Sequence, residues 1–315
     1  MVRFEQTTVM WCDGSAQSRR AVPASTLEAA ARGTGLVLLV VAEPVPGAAD
    51  GRPPARRPVA EQAVASAVAT NPSVPLEVVH ASAASRAQLV DLTRRTSLVV
   101  MGAAAGEDGT VLPAGSLGDA LAGHLDCPVL FVDGHELSAA ESVVGHDPAV
   151  VAGVDMVRAS EQVLLTAAAE AVIRGVGLTL VHALDHGATL DPGALAEGWE
   201  RCRASLRSAH LPRGVPNRLV VSQEEPVAAL RNRVGPRDLL VVGTGGRDGD
   251  GGIDGGREGG GGWGRARVGP VTRGLLAAMP CDVMLVPPWQ RTKTIADLGA
   301  RRLEGHRATQ PDAIS

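Results

Sequence analysis

The chain has 315 residues, 45% hydrophobic and 20% charged, with a formal net charge of −4. That is ordinary globular composition at about twice the usual domain length, so two domains are expected. No block of five or six like-signed residues occurs, and the longest apolar run, residues 36–42, is far short of the ~20 a membrane-spanning helix needs, so neither nucleic acid nor a membrane is the expected partner.

In chain order, the N-terminus lacks the charged start and apolar core of a signal peptide, and a soluble cytoplasmic protein is expected. Residues 7–12 read as a continuous apolar strand and 16–32 as a helix closed by Gly33. Pro23 interrupts that helix and is expected to kink it. Residues 36–42 form a second strand, followed by a Pro- and Gly-rich loop at 44–58. Then 59–70 reads as helical, 76–80 as extended, 86–95 as helical and 97–101 as extended. A glycine-containing loop leads to a helix over 117–124 and a last strand over 129–132. The second half repeats the pattern, with helices over 160–174 and 192–209, and its last strand covers 283–286.

The repeat has a measurable offset. Asp13 and Asp155 each end an apolar run, 142 residues apart. GLVLLVVAE from Gly35 matches GLTLVHALD from Gly177, and Gly33 matches Gly175, at the same spacing. Gly102 and Gly243 end equivalent strands 141 apart, while Gly115 pairs with Gly269 and Cys127 with Cys281 at 154. An insertion of about 13 residues explains the jump: 13 of the 22 residues from 243 to 264 are glycine, a composition that suits a flexible loop.

Short, nearly all-apolar strands alternating with helices imply parallel sheets covered on both faces, wound right-handedly. The expected fold class is therefore α/β, two tandem doubly wound domains. The first spans 1–134, a polar linker 135–147, and the second 148–288 with its Gly-rich insertion at 247–264. A tail, 289–315, has no counterpart in the first half and holds one short helical segment at 295–303.

Residue chemistry narrows the function. The four cysteines show no CxxC spacing, and Cys12, Cys127 and Cys281 flank strands, so buried free thiols are expected rather than a metal site. The single lysine, Lys293, sits near the polar tail, which excludes Walker A loops, kinase-type ATP sites and Schiff-base enzymes. Ligands of open parallel sheets bind beyond the carboxyl ends of the strands, so the informative positions are Asp13-Gly14-Ser15, 41–44 and 102–116, with Asp155-Met156, 183–185 and 243–270 in the second half. Gly102 leaves its strand with freedom to turn, and Gly115-Ser116 precede a helix whose N–H groups and dipole favour an anion. The same residues also read as a turn and a capped helix start, and Asp13 and Asp155 as helix caps. His182 reads as a core or interface imidazole, and His124 as a complement to the end of its helix. No catalytic triad or paired carboxylate stands out, and no catalytic base is assigned.

CDGS at 12–15, GAAAGEDGTVLPAGS at 102–116 and CPVLFV at 127–132 together resemble the universal stress protein family. VD at 154–155, GTGG at 243–246 and CDVMLV at 281–286 repeat the pattern, so that the resemblance covers roughly residues 5–288 as two tandem copies. It implies a five-stranded, mostly parallel Rossmann-like domain in each copy and, in the nucleotide-binding branch, ATP held at the strand ends, alone or with Mg2+. Carried over by position, Asp13 and Asp155 would contact the nucleoside and the backbones of Val41 and Ala183 the adenine. Gly102, Gly115 and Ser116, with Gly243, Gly246 and Gly269 in the second copy, would surround ribose and phosphates. Hydrolysis would be slow and incidental, so no enzyme is expected. Two departures stand out: Ala105 replaces the middle glycine of the first loop, and Pro270 replaces the Ser/Thr of the second, removing a hydroxyl and an N–H.

The leading expectation is a tandem nucleotide-binding stress or regulatory protein that signals to some protein partner. Its alternative is a scaffold of the same fold that binds no nucleotide and works through protein contacts. An NAD-dependent enzyme is disfavoured because no GxGxxG follows a first strand. The last strand of each copy is an apolar sheet edge, which suits either pairing of the two halves within one chain or a homodimer.

Overall fold

The computed structural model describes residues 7–42, 56–82, 96–103, 127–132, 147–155, 161–183, 191–208, 217–244 and 269–287. The helices expected over 86–95 and 117–124, nearly all of the linker, the Gly-rich insertion and the tail lie outside them. The described strands are β1 (Thr7–Cys12), β2 (Gly35–Ala42), β3 (Leu76–Ser82), β4 (Thr96–Gly102), β5 (Val129–Val132), β6 (Ala149–Gly153), β7 (Gly177–Ala183), β8 (Asn217–Ser222), β9 (Leu239–Gly243) and β10 (Asp282–Val286). The helices are α1 (Ala16–Arg32), α2 (Arg56–Thr70), α3 (Glu161–Arg174), α4 (Pro192–Ser208), α5 (Pro226–Arg231) and α6 (Pro270–Ala278).

All ten strands lie in one sheet, in the order β3-β2-β1-β4-β5-β10-β9-β6-β7-β8. Within each half the pairs are parallel and the order is that of a doubly wound α/β unit. The halves join through β5 and β10, which run antiparallel, so the pairing left open by sequence occurs within the chain.

The strands read as unbroken apolar runs because both faces are covered. Met10, Leu38, Val100, Leu130, Val150, Leu180, Val241 and Met284 belong to one core, with residues of α1, α2, α3 and α4. Val9, Val37, Val99, Phe131, Val151, Val181, Leu240 and Leu285 belong to the other, with residues of α5 and α6. Cys12, Cys127 and Cys281 are buried free thiols, and burial pushes the Cys12 thiol up to about 12, with the Asp13 carboxylate adding to the shift.

Helix ends follow local chemistry. α1 starts at Ser15, whose hydroxyl oxygen accepts the Ser18 N–H, and stops at Gly33 in the left-handed conformation, φ 63. The helix runs on through Pro23. α2 begins at Arg56 rather than 59, because Pro58 falls in the first turn, where its missing N–H has no intrahelical partner to lose. No helix among the described residues is long and apolar enough to cross a membrane.

Candidate functional site

In the first half β1 lies between β2 and β4, the place where the winding reverses. The β1–β2 register ends at Cys12↔Val40 and the β1–β4 register at Met10↔Val100. Asp13, Val41 and Gly102 each lie just past those last pairs, so three of the expected residues gather at one rim. Asp13 is half-buried there. Its Oδ1 accepts the Ser15 N–H at 2.8 Å, and Gly14 carries the turn with φ 81. Arg19 Nη1 donates to the Gly14 carbonyl at 2.5 Å. The side-chain cap of α1 is thus Ser15, not Asp13 as the spacing suggested; Asp13 instead braces the turn that presents it.

Gly102 has a different reason for being glycine from the one expected. A Cβ there would lie 2.3 Å from the Gln17 carbonyl oxygen, 2.4 Å from its carbon and 2.7 Å from the Ser18 nitrogen. The first turn of α1 therefore rests directly on the end of β4, and the absent side chain is a packing requirement. This contact holds the Asp13 turn over the rim. Val41 is 1% exposed, with its side chain in the core that includes Val9 and Val99, which leaves only its backbone to meet a ligand. Gly115 and Ser116, like Ala105, lie outside the described residues.

The second rim repeats the layout with looser fittings. Asp155, Ala183 and Gly243 lie past the ends of the β6–β7 and β6–β9 registers, and Asp155 is exposed. A Cβ on Gly243 would meet nothing closer than a Val163 methyl at 3.5 Å. His182 is buried, and its Nδ1 lies 3.1 Å from the Val154 carbonyl, which ties β7 to the residue before Asp155. It is a core imidazole, as expected.

The start of α6 is tied to the end of β9. Thr272 Oγ1 donates to the Gly243 carbonyl at 2.8 Å. Gly269 donates its N–H to the Thr244 carbonyl at 2.8 Å, and Thr244 donates to the Val286 carbonyl at 3.0 Å. The N–H of Gly269, a residue expected to surround ribose and phosphates, is therefore already committed. Pro270 at the first helical position supplies none. Gly246 lies outside the described residues. Residues 244 and 269, which flank the Gly-rich segment in sequence, therefore meet.

Sequence reasoning missed the close approach at Gly102, the Thr272 tie and the Glu225 side chain that caps α5. Only the last has a local signal, a carboxylate just before a Pro-initiated helix. Among the described residues no cluster of His, Cys, Asp and Glu is arranged to hold a metal ion. A shallow groove between α2 and β3, lined by Ala60, Val64, Val68 and His80, lies two strands away from β1 and outside the rim.

Residues 7–133 match the universal stress protein family. No curated protein matches the chain. Among solved structures, the fold is similar to that of a universal stress protein from Archaeoglobus fulgidus DSM 4304, at TM-score 0.58 and 14% identity, covering 90% of this chain and 98% of that one. A protein assigned to the same family from Pseudomonas aeruginosa UCBPP-PA14 aligns at TM-score 0.56 and 15% identity, over 95% of this chain and 97% of its own. A functionally unknown protein from Pseudomonas aeruginosa PAO1 aligns at 0.51 and 16%, over 96% and 98%.

Proposed function

We propose, from the premise that residues 7–133 form a domain of the universal stress protein family, that the chain is a tandem member which binds ATP at the rim of its first half. It acts as a regulatory stress-response protein rather than as an enzyme. The observation that carries this reading is the Asp13 turn, held over the ends of β2 and β4 by the α1–Gly102 contact. Ser15 occupies one oxygen of Asp13, and a carboxylate with two acceptor atoms suits a ribose hydroxyl. Residues 102–116 then supply the phosphate cradle, with Gly115 and Ser116 at its helix start. Mg2+, where present, would accompany the phosphates.

The scaffold reading suits the second half. There the Gly269 N–H is spent on Thr244, and Pro270 offers neither hydroxyl nor N–H. In this view the second half supports the first through the shared sheet and binds no nucleotide itself.

Titration calorimetry with ATP tests both statements. The parent is expected to bind one equivalent, and Asp13→Ala to weaken binding by about 10- to 100-fold, the worth of a charge-assisted hydrogen bond. Asp155→Ala should leave the titration unchanged. No binding heat, together with no nucleotide released from the denatured protein, would sink the ATP reading and leave the scaffold one.

A further inference from the structure

The joint between the halves carries a symmetry that sheet pairing alone does not account for. β5 and β10 pair through Val129↔Leu285, Leu130↔Met284 and Phe131↔Val283. Under the repeat, Val129 corresponds to Val283, Leu130 to Met284 and Phe131 to Leu285, each 154 residues on. Leu130 thus faces its own counterpart, Val129 and Phe131 each face the counterpart of the other, and a pseudo-two-fold axis passes between Leu130 and Met284. This is the geometry of an isologous dimer contact, here made within one chain.

The strands do not by themselves select that register. β5 is buried along its whole length, and β10 from Val283 to Val286, all apolar. Sliding one past the other by two residues keeps every side chain on its own buried face, so the apolar pattern specifies register weakly.

A second feature obeys the same axis. Glu28 and Arg32 lie on the last turns of α1, and Glu170 and Arg174 on the last turns of α3, 142 residues on. Arg32 Nη2 donates to Glu170 Oε1 at 2.5 Å, and Arg174 Nη2 donates to Glu28 Oε1 at 2.5 Å. Each arginine also reaches the glutamate of its own helix: Arg32 pairs with Glu28, and Arg174 Nε lies 3.4 Å from Glu170 Oε2. The side chains of Arg32 and Glu170 are each 3% exposed. A two-residue slip of β10 along β5 would carry α3 about 7 Å past α1. Both crossing pairs would then open and leave buried charges without partners, which is strongly unfavourable.

We infer that the Glu28–Arg32–Glu170–Arg174 quartet sets the register in which the two halves join. The surface it forms on each half is self-complementary: it recognises a second copy of the same unit, and duplication has placed that copy in the same chain. The inference stands independently of nucleotide binding.

Charge inversion in the full chain tests it by peptide-resolved amide exchange. E28R/R32E keeps an opposite-charge pair within α1 but sets like charges against both Arg174 and Glu170. Exchange at β5 and β10 is expected to speed up by about tenfold or more relative to β2 and β7. Adding E170R/R174E recreates the quartet with signs reversed and should restore β5 and β10 to near-parent rates. If the one-sided variant is too unstable to fold, recovery of a folded, protected joint in the four-residue variant supports the same conclusion. Parent-like exchange at β5 and β10 in the one-sided variant, or failure of the four-residue variant to restore it, overturns the inference.

Discussion

Gly102 and Gly243 stand at equivalent places in the repeat, yet α1 rests its backbone on the first while the second has nothing closer than a valine methyl at ordinary distance. At the first rim the Asp13 turn is held down by that contact. At the second, Asp155 is exposed and the neighbouring helix start is tied off through Gly269 and Thr272. The joint between the halves behaves in the opposite way, with equivalent residues making equivalent bonds. The two halves are alike where each fits the other, and differ at their rims.

The largest expected effect probes the symmetry of the joint. Arg32→Ala leaves Glu28 and Glu170 buried without their main partner and should lower stability by about 3–5 kcal/mol in urea unfolding. Arg174, whose side chain is 28% exposed, should cost less when removed, about 1–3 kcal/mol, since water can reach the remaining charges. Equal losses would show that the two arginines are energetically as well as geometrically equivalent.

The rims separate under one methyl group. Gly102→Ala drives a Cβ into the α1 backbone and should cost about 2–3 kcal/mol, whereas Gly243→Ala should stay within about 0.5 kcal/mol, both read from the urea midpoint. A matching loss at Gly243 would remove the contrast on which the assignment of the binding half rests.

Acid gives a third, graded test. Burial raises the Glu28 pKa, but Arg32 and Arg174 together outweigh it and hold the carboxyl below its ordinary value of 4.5. A group whose folded pKa is depressed adds stability above its unfolded value and loses it as pH falls through the folded one. Stability should therefore decline below about pH 4.5, and Glu28→Gln should flatten that part of the profile. The smallest effect is local: Ser15→Ala removes the α1 cap and should cost about 1 kcal/mol in the urea midpoint.

Much of the fold was legible in the residue pattern because the signals are local or periodic. Strand ends at Cys12 and Val132, and helix ends at Arg32 and Arg174, follow from apolar runs and from glycines at φ 63 and φ 69. The rim positions of Asp13, Val41, Gly102, Asp155, Ala183 and Gly243 were legible too, since a parallel sheet puts its loops at known strand ends. The reason for Gly102 was not, because it depends on how closely the first turn of α1, at Gln17 and Ser18, approaches the strand. Nor was the commitment of the Gly269 N–H, which needs Thr244 beside it.

Taken alone, the chain of residues determined the repeat, its offset, the strands and the helix ends, since each is written in neighbouring side chains and their period. Tertiary structure decided the partner of β5, the register at Leu130 and Met284, and the burial of Glu28, Arg32, Glu170 and Arg174. On a helix, glutamate four residues before arginine looks like any solvated surface pair. Only when two such pairs, 142 residues apart, are brought face to face across a shared sheet do they become a buried quartet, and no local pattern records that meeting.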